Sequence, residues 1–204
     1  MIEVRKTVEE ARHDMKRADL LLWKGPPGSF GRLIRIASRS EYSHAGMLDF
    51  RPDNGHGNIP VLIDVTTRGG RDIDLELEVS RHSGCWDLYR TNPYGRWKDF
   101  SREAACRRMQ KFRGIDYGWP SIFKASLAFL PGIRVFQRYE ACRVKDEDTE
   151  NTPPFCSMAV SIACYAGGVD PVNRLYHSQT TPGNLSESKF FEYKCTLIDP
   201  RDRS

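Results

Sequence analysis

Residues 153–168 read PPFCSMAVSIACYAGG. Two prolines keep a helix from starting earlier, Gly167-Gly168 stop it, and the run between them is almost wholly apolar. A helix without a polar stripe has to be surrounded by the rest of the molecule. This segment is therefore expected to be the buried centre around which the chain packs. Its first residue poses a chemical question, because Cys156 stands at the head of the run rather than along it.

A cysteine attacks as thiolate, and an unperturbed thiol with a pKa of about 8.5 is mostly protonated at neutral pH. In the first turn of a helix, free N–H groups and the positive end of the macrodipole face its sulfur and favour the anion. That makes Cys156 a candidate nucleophile. The competing reading is a small core residue, which is how Cys164, two turns on and on the same face, is read.

A thiolate needs a base. Of five histidines, His44 stands out in YSHAGMLDF, where small neighbours Ser43, Ala45 and Gly46 leave room for close approach. His56 lies in a Gly/Asn loop, and His13, His82 and His177 sit among polar residues. A base in turn needs a group that fixes its tautomer. The following strand, VLIDVTT, offers Asp64, with Thr66 and Thr67 as alternatives because strand register is not set by sequence. A structural strand histidine and an ordinary polar aspartate are the competing readings here.

Six stretches predict strands: 19–23, 43–50, 60–67, 72–79, 85–91 and 190–198. Helices are expected over 3–18, over 29–40 with Ser29 as N-cap, over 101–114 and over 155–166. A loop at 51–59 joins the second and third strands, and TTPGNLSES (180–188) reads as a turn. The order predicts an α+β fold, with one central antiparallel sheet packed against helices. A chain of 204 residues is expected to form a single domain, with its core over about 17–198.

Composition narrows the function. A net charge of +4, spread among scattered acidic residues, does not make a nucleic-acid footprint. Six cysteines form no C-x-x-C pair and have no histidine at zinc-ligand spacing, so no metal site and no cofactor are expected. The charged N-terminal stretch lacks a signal-peptide core, and no run of about 18 apolar residues exists. The expectation is a cytoplasmic protein with free thiols, compatible with phage-encoded or injected delivery.

Five short blocks occur in a telling order: ADLLLWKG, SEYSHAGMLDF with VLIDVTTRGG, FRGIDYGW, PPFCSMAVSIACYAGGVD and TTPGNLSES. Together they resemble the circularly permuted, YiiX/YaeF-like branch of the NlpC-type papain-like cysteine hydrolases, related to the lecithin:retinol acyltransferases. The resemblance implies a permuted papain-like fold, in which a strand-borne histidine precedes the catalytic cysteine. It implies Cys156 as nucleophile and His44 as base. Asp64 falls where many relatives carry Glu or His. Tyr117 matches a tyrosine of the oxyanion region, and Ser157 and Ser43 are the adjoining oxyanion or substrate-binding candidates. The loops at 51–59 and 143–152 are less typical of the family.

The implied chemistry is formation of a thioester acyl-enzyme, resolved by water or another acceptor. The apolar stretch 117–136 admits two substrate readings. As a buried helix pair it suits cleavage of an amide bond in a peptide, such as a cell-wall stem peptide. As an acyl groove or a peripheral membrane contact rimmed by Lys124, Arg134 and Arg138, it suits a lipid ester hydrolase or acyltransferase. A non-catalytic binding module on the same fold is the reading from another class.

Overall fold

The computed structural model describes residues 3–26, 28–53, 57–92, 94–118, 153–173 and 175–203. His56, most of the apolar stretch with Lys124, Arg134 and Arg138, Cys142 and the loop at 143–152 lie outside these residues.

The described residues form an α+β structure with seven strands and six α-helices. In chain order these are β1 (Arg5–Thr7), α1 (Val8–Arg12), β2 (Leu20–Trp23), α2 (Ser29–Ser38), β3 (His44–Asp53), β4 (Gly57–Thr66) and β5 (Gly69–Asp74). Then come α3 (Leu75–Arg81), β6 (Trp86–Thr91), α4 (Arg102–Gln110), α5 (Cys156–Ala166), α6 (Pro182–Ser186) and β7 (Phe191–Ile198). The strands make one sheet in the order β1-β7-β6-β2-β3-β4-β5.

Several sequence expectations are corrected. The sheet is mixed rather than antiparallel, because β1 runs parallel to β7. The N-terminal helix expected over 3–18 shrinks to α1. Its first turn is spent on β1, and Thr7 then starts the helix through a capping box with Glu10. The alternating stretch 72–79 is only half strand: the Asp74 side chain accepts from the backbone of Glu76 and Leu77 and turns the chain into α3. Its apolar residues Leu75 and Val79 then fall one helical turn apart and are buried.

Three smaller differences follow. The β3–β4 hairpin extends to Asp53 and from Gly57, well into the loop expected at 51–59. The N-cap of α2 is Gly28 rather than Ser29. The turn expected at 180–188 contains α6, whose Thr181 and Asn184 form another capping box.

Alternation along the strands sends side chains to two cores. On one face Leu20, Leu22, Ala45, Met47, Ile63 and Val65 pack with α4 and α5. On the other, Leu21, Leu48, Leu62 and Trp86 pack with α3 and with Val8, Ala11 and Met15 of the N-terminal segment, so the core begins before residue 17. Helix α5 is buried from Cys156 through Cys164, as its composition requires. Two polar pins fix it: Ser157 Oγ donates to the Thr180 carbonyl at 2.6 Å, and Ser161 Oγ lies 2.8 Å from His177 Nδ1.

Candidate active site

Helix α5 opens at Cys156, with Phe155 as an N-cap that supplies no side-chain oxygen. The first free N–H groups of the helix are therefore left to the sulfur and its surroundings. The segment before the helix is held by Gly118, whose N–H donates to the Pro154 carbonyl at 3.1 Å. A side chain at Gly118 would collide with the Pro153 carbonyl oxygen. This close approach also brings Tyr117 to the helix head.

His44 is the first residue of β3. Its ring and the Cys156 sulfur are hydrogen-bonded, and the sulfur also accepts from the backbone N–H groups of Ala45 and Ser157. His44 Nε2 lies 2.8 Å from Asp64 Oδ2, which leaves Nδ1 as the ring nitrogen for the thiol. The His44 side chain is 21% exposed, whereas Asp64 is wholly buried. Register explains the meeting. Gly46 pairs with Asp64 across β3–β4, so His44 and Asp64 share a face as diagonal neighbours. Thr66 Oγ1 is directed instead to the Gly69 carbonyl at 3.2 Å.

Asp64 has a second partner that sequence reasoning missed. Arg71 opposes it in the β4–β5 ladder and binds it through both edges of its fork, Nε to Oδ1 at 2.9 Å and a terminal nitrogen to Oδ2 at 3.2 Å. The signal was present only as an arginine after Gly69-Gly70; nothing local ties it to Asp64. The result is a relay of contacts running Cys156–His44–Asp64–Arg71.

The electrostatics follow from these contacts. Burial alone would raise the Cys156 thiol, but the His44 charge and hydrogen bond, with the N–H groups of Ala45 and Ser157, bring it below its ordinary value. Burial alone would lower His44, but the Cys156 thiolate and the Asp64 carboxylate raise it to about 10. Burial likewise opposes ionisation of Asp64 and is outweighed by His44 and Arg71, so its carboxyl is held low. Both shifts favour the thiolate–imidazolium form of the pair over the neutral one. Tyr117 is pushed upward by burial and by the charge of Cys156, so its hydroxyl keeps its proton beside the sulfur.

These groups line a cleft of about 350 Å³. Cys156, Tyr117, His44, Ser43, Glu78, His82, Trp23 and Trp86 are among its lining residues, with Gly31 and Ile34 of α2, and the Trp86 ring meets His44 edge to face with centroids 6.0 Å apart. The Ser43 N–H donates to the Trp23 carbonyl at 3.0 Å. Ser157 contributes its N–H, because its hydroxyl is committed to Thr180. Among the described residues, no group of His, Cys, Asp and Glu converges to hold a metal ion, and no helix is long and apolar enough to cross a membrane. No protein-family model matches the chain, and no curated protein matches it either.

Proposed function

We propose that this chain is a cysteine hydrolase of the permuted NlpC-type, papain-like kind, acting on an amide bond in a peptide, with a cell-wall stem peptide as the leading case. The observation that carries the reading is the hydrogen-bonded Cys156–His44 pair at the head of a buried helix, with the second histidine nitrogen 2.8 Å from a buried carboxylate. A core cysteine needs none of this. Depressing a thiol so that it ionises against an imidazole is the arrangement a nucleophile requires.

In the proposed reaction the Cys156 thiolate attacks the substrate carbonyl carbon, and the C–O π electrons move to oxygen. Backbone N–H groups at the head of α5, with the Tyr117 hydroxyl, stabilise that oxyanion. Collapse expels the leaving amine, which takes the His44 proton, and leaves a thioester. His44, now neutral, removes a proton from water, the hydroxide carbon–oxygen bond forms, and the thiolate leaves. Asp64, held by Arg71, keeps the imidazole turned toward the sulfur throughout.

A lipid ester or acyl-transfer substrate is the second reading. Leu33 and Ile36 on α2 favour it: they are 63% and 74% exposed on the helix that walls the cleft. Incubation with peptidoglycan fragments and, separately, with phospholipid vesicles, followed by intact-mass measurement, decides between them. An acyl adduct from peptide only, absent in Cys156→Ala, is the expected result. An adduct from phospholipid only selects the second reading, and no adduct from either removes both.

A further inference from the structure

Helix α2 turns two large apolar side chains to the outside. Leu33 and Ile36 lie one turn apart and are 63% and 74% exposed. The other exposed large apolar side chains among the described residues, Val4, Leu77, Tyr94, Ile115 and Tyr165, stand singly on separate segments. Scattered ones are ordinary surface, whereas a pair on one helix beside a cleft calls for a cause. At about 100° per residue, Arg32, Leu33, Ile36 and Arg39 fall within one arc of about 120°, with the two arginines in line because they are seven residues apart. All four are exposed. The opposite side of α2 faces the molecule: Gly31 and Ile34 line the cleft, Ile34 packs on the core, and Ser38 lies against Gly183 of α6. Arg35 is turned back to the Gly25 carbonyl.

Charge selects what this face can meet. Helix α2 holds no Asp or Glu, and neither Arg32 nor Arg39 is in an ion pair among the described residues. A second copy docked by two-fold symmetry would bring the same arginines to the contact and no acid from α2 to receive them. A surface of anionic headgroups receives the arginines, and the acyl boundary beneath it takes the two apolar side chains.

We propose that the outer face of α2 rests on an anionic lipid bilayer, with Leu33 and Ile36 in the acyl boundary and Arg32 and Arg39 among the headgroups, so that the cleft beside it works at a membrane surface. The contact concerns where the molecule sits and not which bond it breaks. It holds for either substrate and does not require the thiol.

The test is sedimentation of the full chain with vesicles of phosphatidylcholine alone and of phosphatidylcholine mixed with phosphatidylglycerol. Wild type is expected to partition onto the mixed vesicles about tenfold or more strongly than onto the neutral ones, and to lose that margin in high salt. Cys156→Ala should partition as wild type does, which separates this face from the fate of the catalytic reading. Leu33→Ser combined with Ile36→Ser leaves the charge unchanged and should lower partitioning onto the mixed vesicles by about tenfold, with a thermal melt to report that the variant is folded. Arg32→Gln combined with Arg39→Gln should remove most of the preference for the anionic vesicles. Failure of wild type to bind the mixed vesicles overturns the proposal without any variant. Undiminished binding by the serine pair overturns it as well, because the attraction would then be that of any basic protein, and so does an undiminished anionic preference in the glutamine pair. A wild-type dimer in sedimentation equilibrium that the serine pair dissociates gives the face to a second copy and overturns the bilayer.

Discussion

Gly46 and Asp64 face one another across the β3–β4 ladder, and the bare position at Gly46 gives the Asp64 carboxylate its diagonal path to His44. A Cβ at Gly46 would lie 3.0 Å from the Ile63 carbonyl oxygen and 3.1 Å from Asp64 Cβ, and would strike Leu62 as well. Gly46→Ala is therefore expected to cost about 1–3 kcal/mol of stability through overpacking. It should cost activity out of proportion to that loss. Thermal melts and turnover of an activated ester, measured on the folded fraction, check both. Wild-type activity in the alanine variant would show that the His44–Asp64 geometry is not limiting.

Asp64→Asn keeps the shape and removes the charge. The imidazolium loses its stabilising carboxylate, so His44 falls and the Cys156 thiol rises. A rise of one unit lowers the thiolate fraction on the acid side about tenfold. Iodoacetamide alkylation of Cys156 at pH 6 should slow by about that factor. Arg71→Lys, which keeps the charge and loses the fork, should fall between wild type and Asp64→Asn.

The rate of ester hydrolysis should be bell-shaped with pH. The acid limb is protonation of the thiolate, below the ordinary thiol value of 9, and the alkaline limb is loss of the imidazolium proton near pH 10. Stability follows the same groups. The raised His44 contributes fully below its ordinary 6.5, and that contribution is lost as pH rises through about 10. The lowered Cys156 contributes above 9, and that contribution is lost as pH falls through its folded value. As pH rises the His44 contribution falls while the Cys156 contribution grows, so the two offset one another where both titrate, and above pH 9 only the His44 decline of the melting temperature remains. An alkaline limb near pH 7 would show that His44 is not held protonated.

Thiol labelling should single out one sulfur. Burial pushes Cys106 up to about 12 and Cys195 up to about 11, and it raises Cys85 and Cys164 as well. Cys156 alone among the described thiols moves down. Peptide mapping after a short exposure to iodoacetamide at pH 6 should find Cys156 modified at least about tenfold faster than these four. Even labelling would remove the thiolate from the site.

What the sequence discloses about this molecule is local chemistry. The blocked start and apolar body of 153–168 mark a buried helix headed by a cysteine, and the small residues around His44 mark a crowded strand. Pairings between strands are not local. Arg71 matters because β5 sets it opposite Asp64, and no spacing rule connects the two. The stretch 72–79 shows a different limit. Alternation and helical periodicity both fit LELEV, and the side chain of Asp74, a single capping residue, decides between them. The N-terminal segment fails as a helix for a tertiary reason: the edge of β7 offers it a parallel partner, and Thr7 restarts the helix afterwards.

The place of β7 between β1 and β6 has a consequence for how the molecule comes into being. β7, at Phe191–Ile198, separates β1, at Arg5–Thr7, from the remainder of the sheet, so β1 has no sheet partner until β7 has been translated. Ring closure over so long a span is slow. The helix headed by Cys156 is likewise translated long after His44. A nascent chain that has not reached residue 156 holds only the imidazole half of the pair.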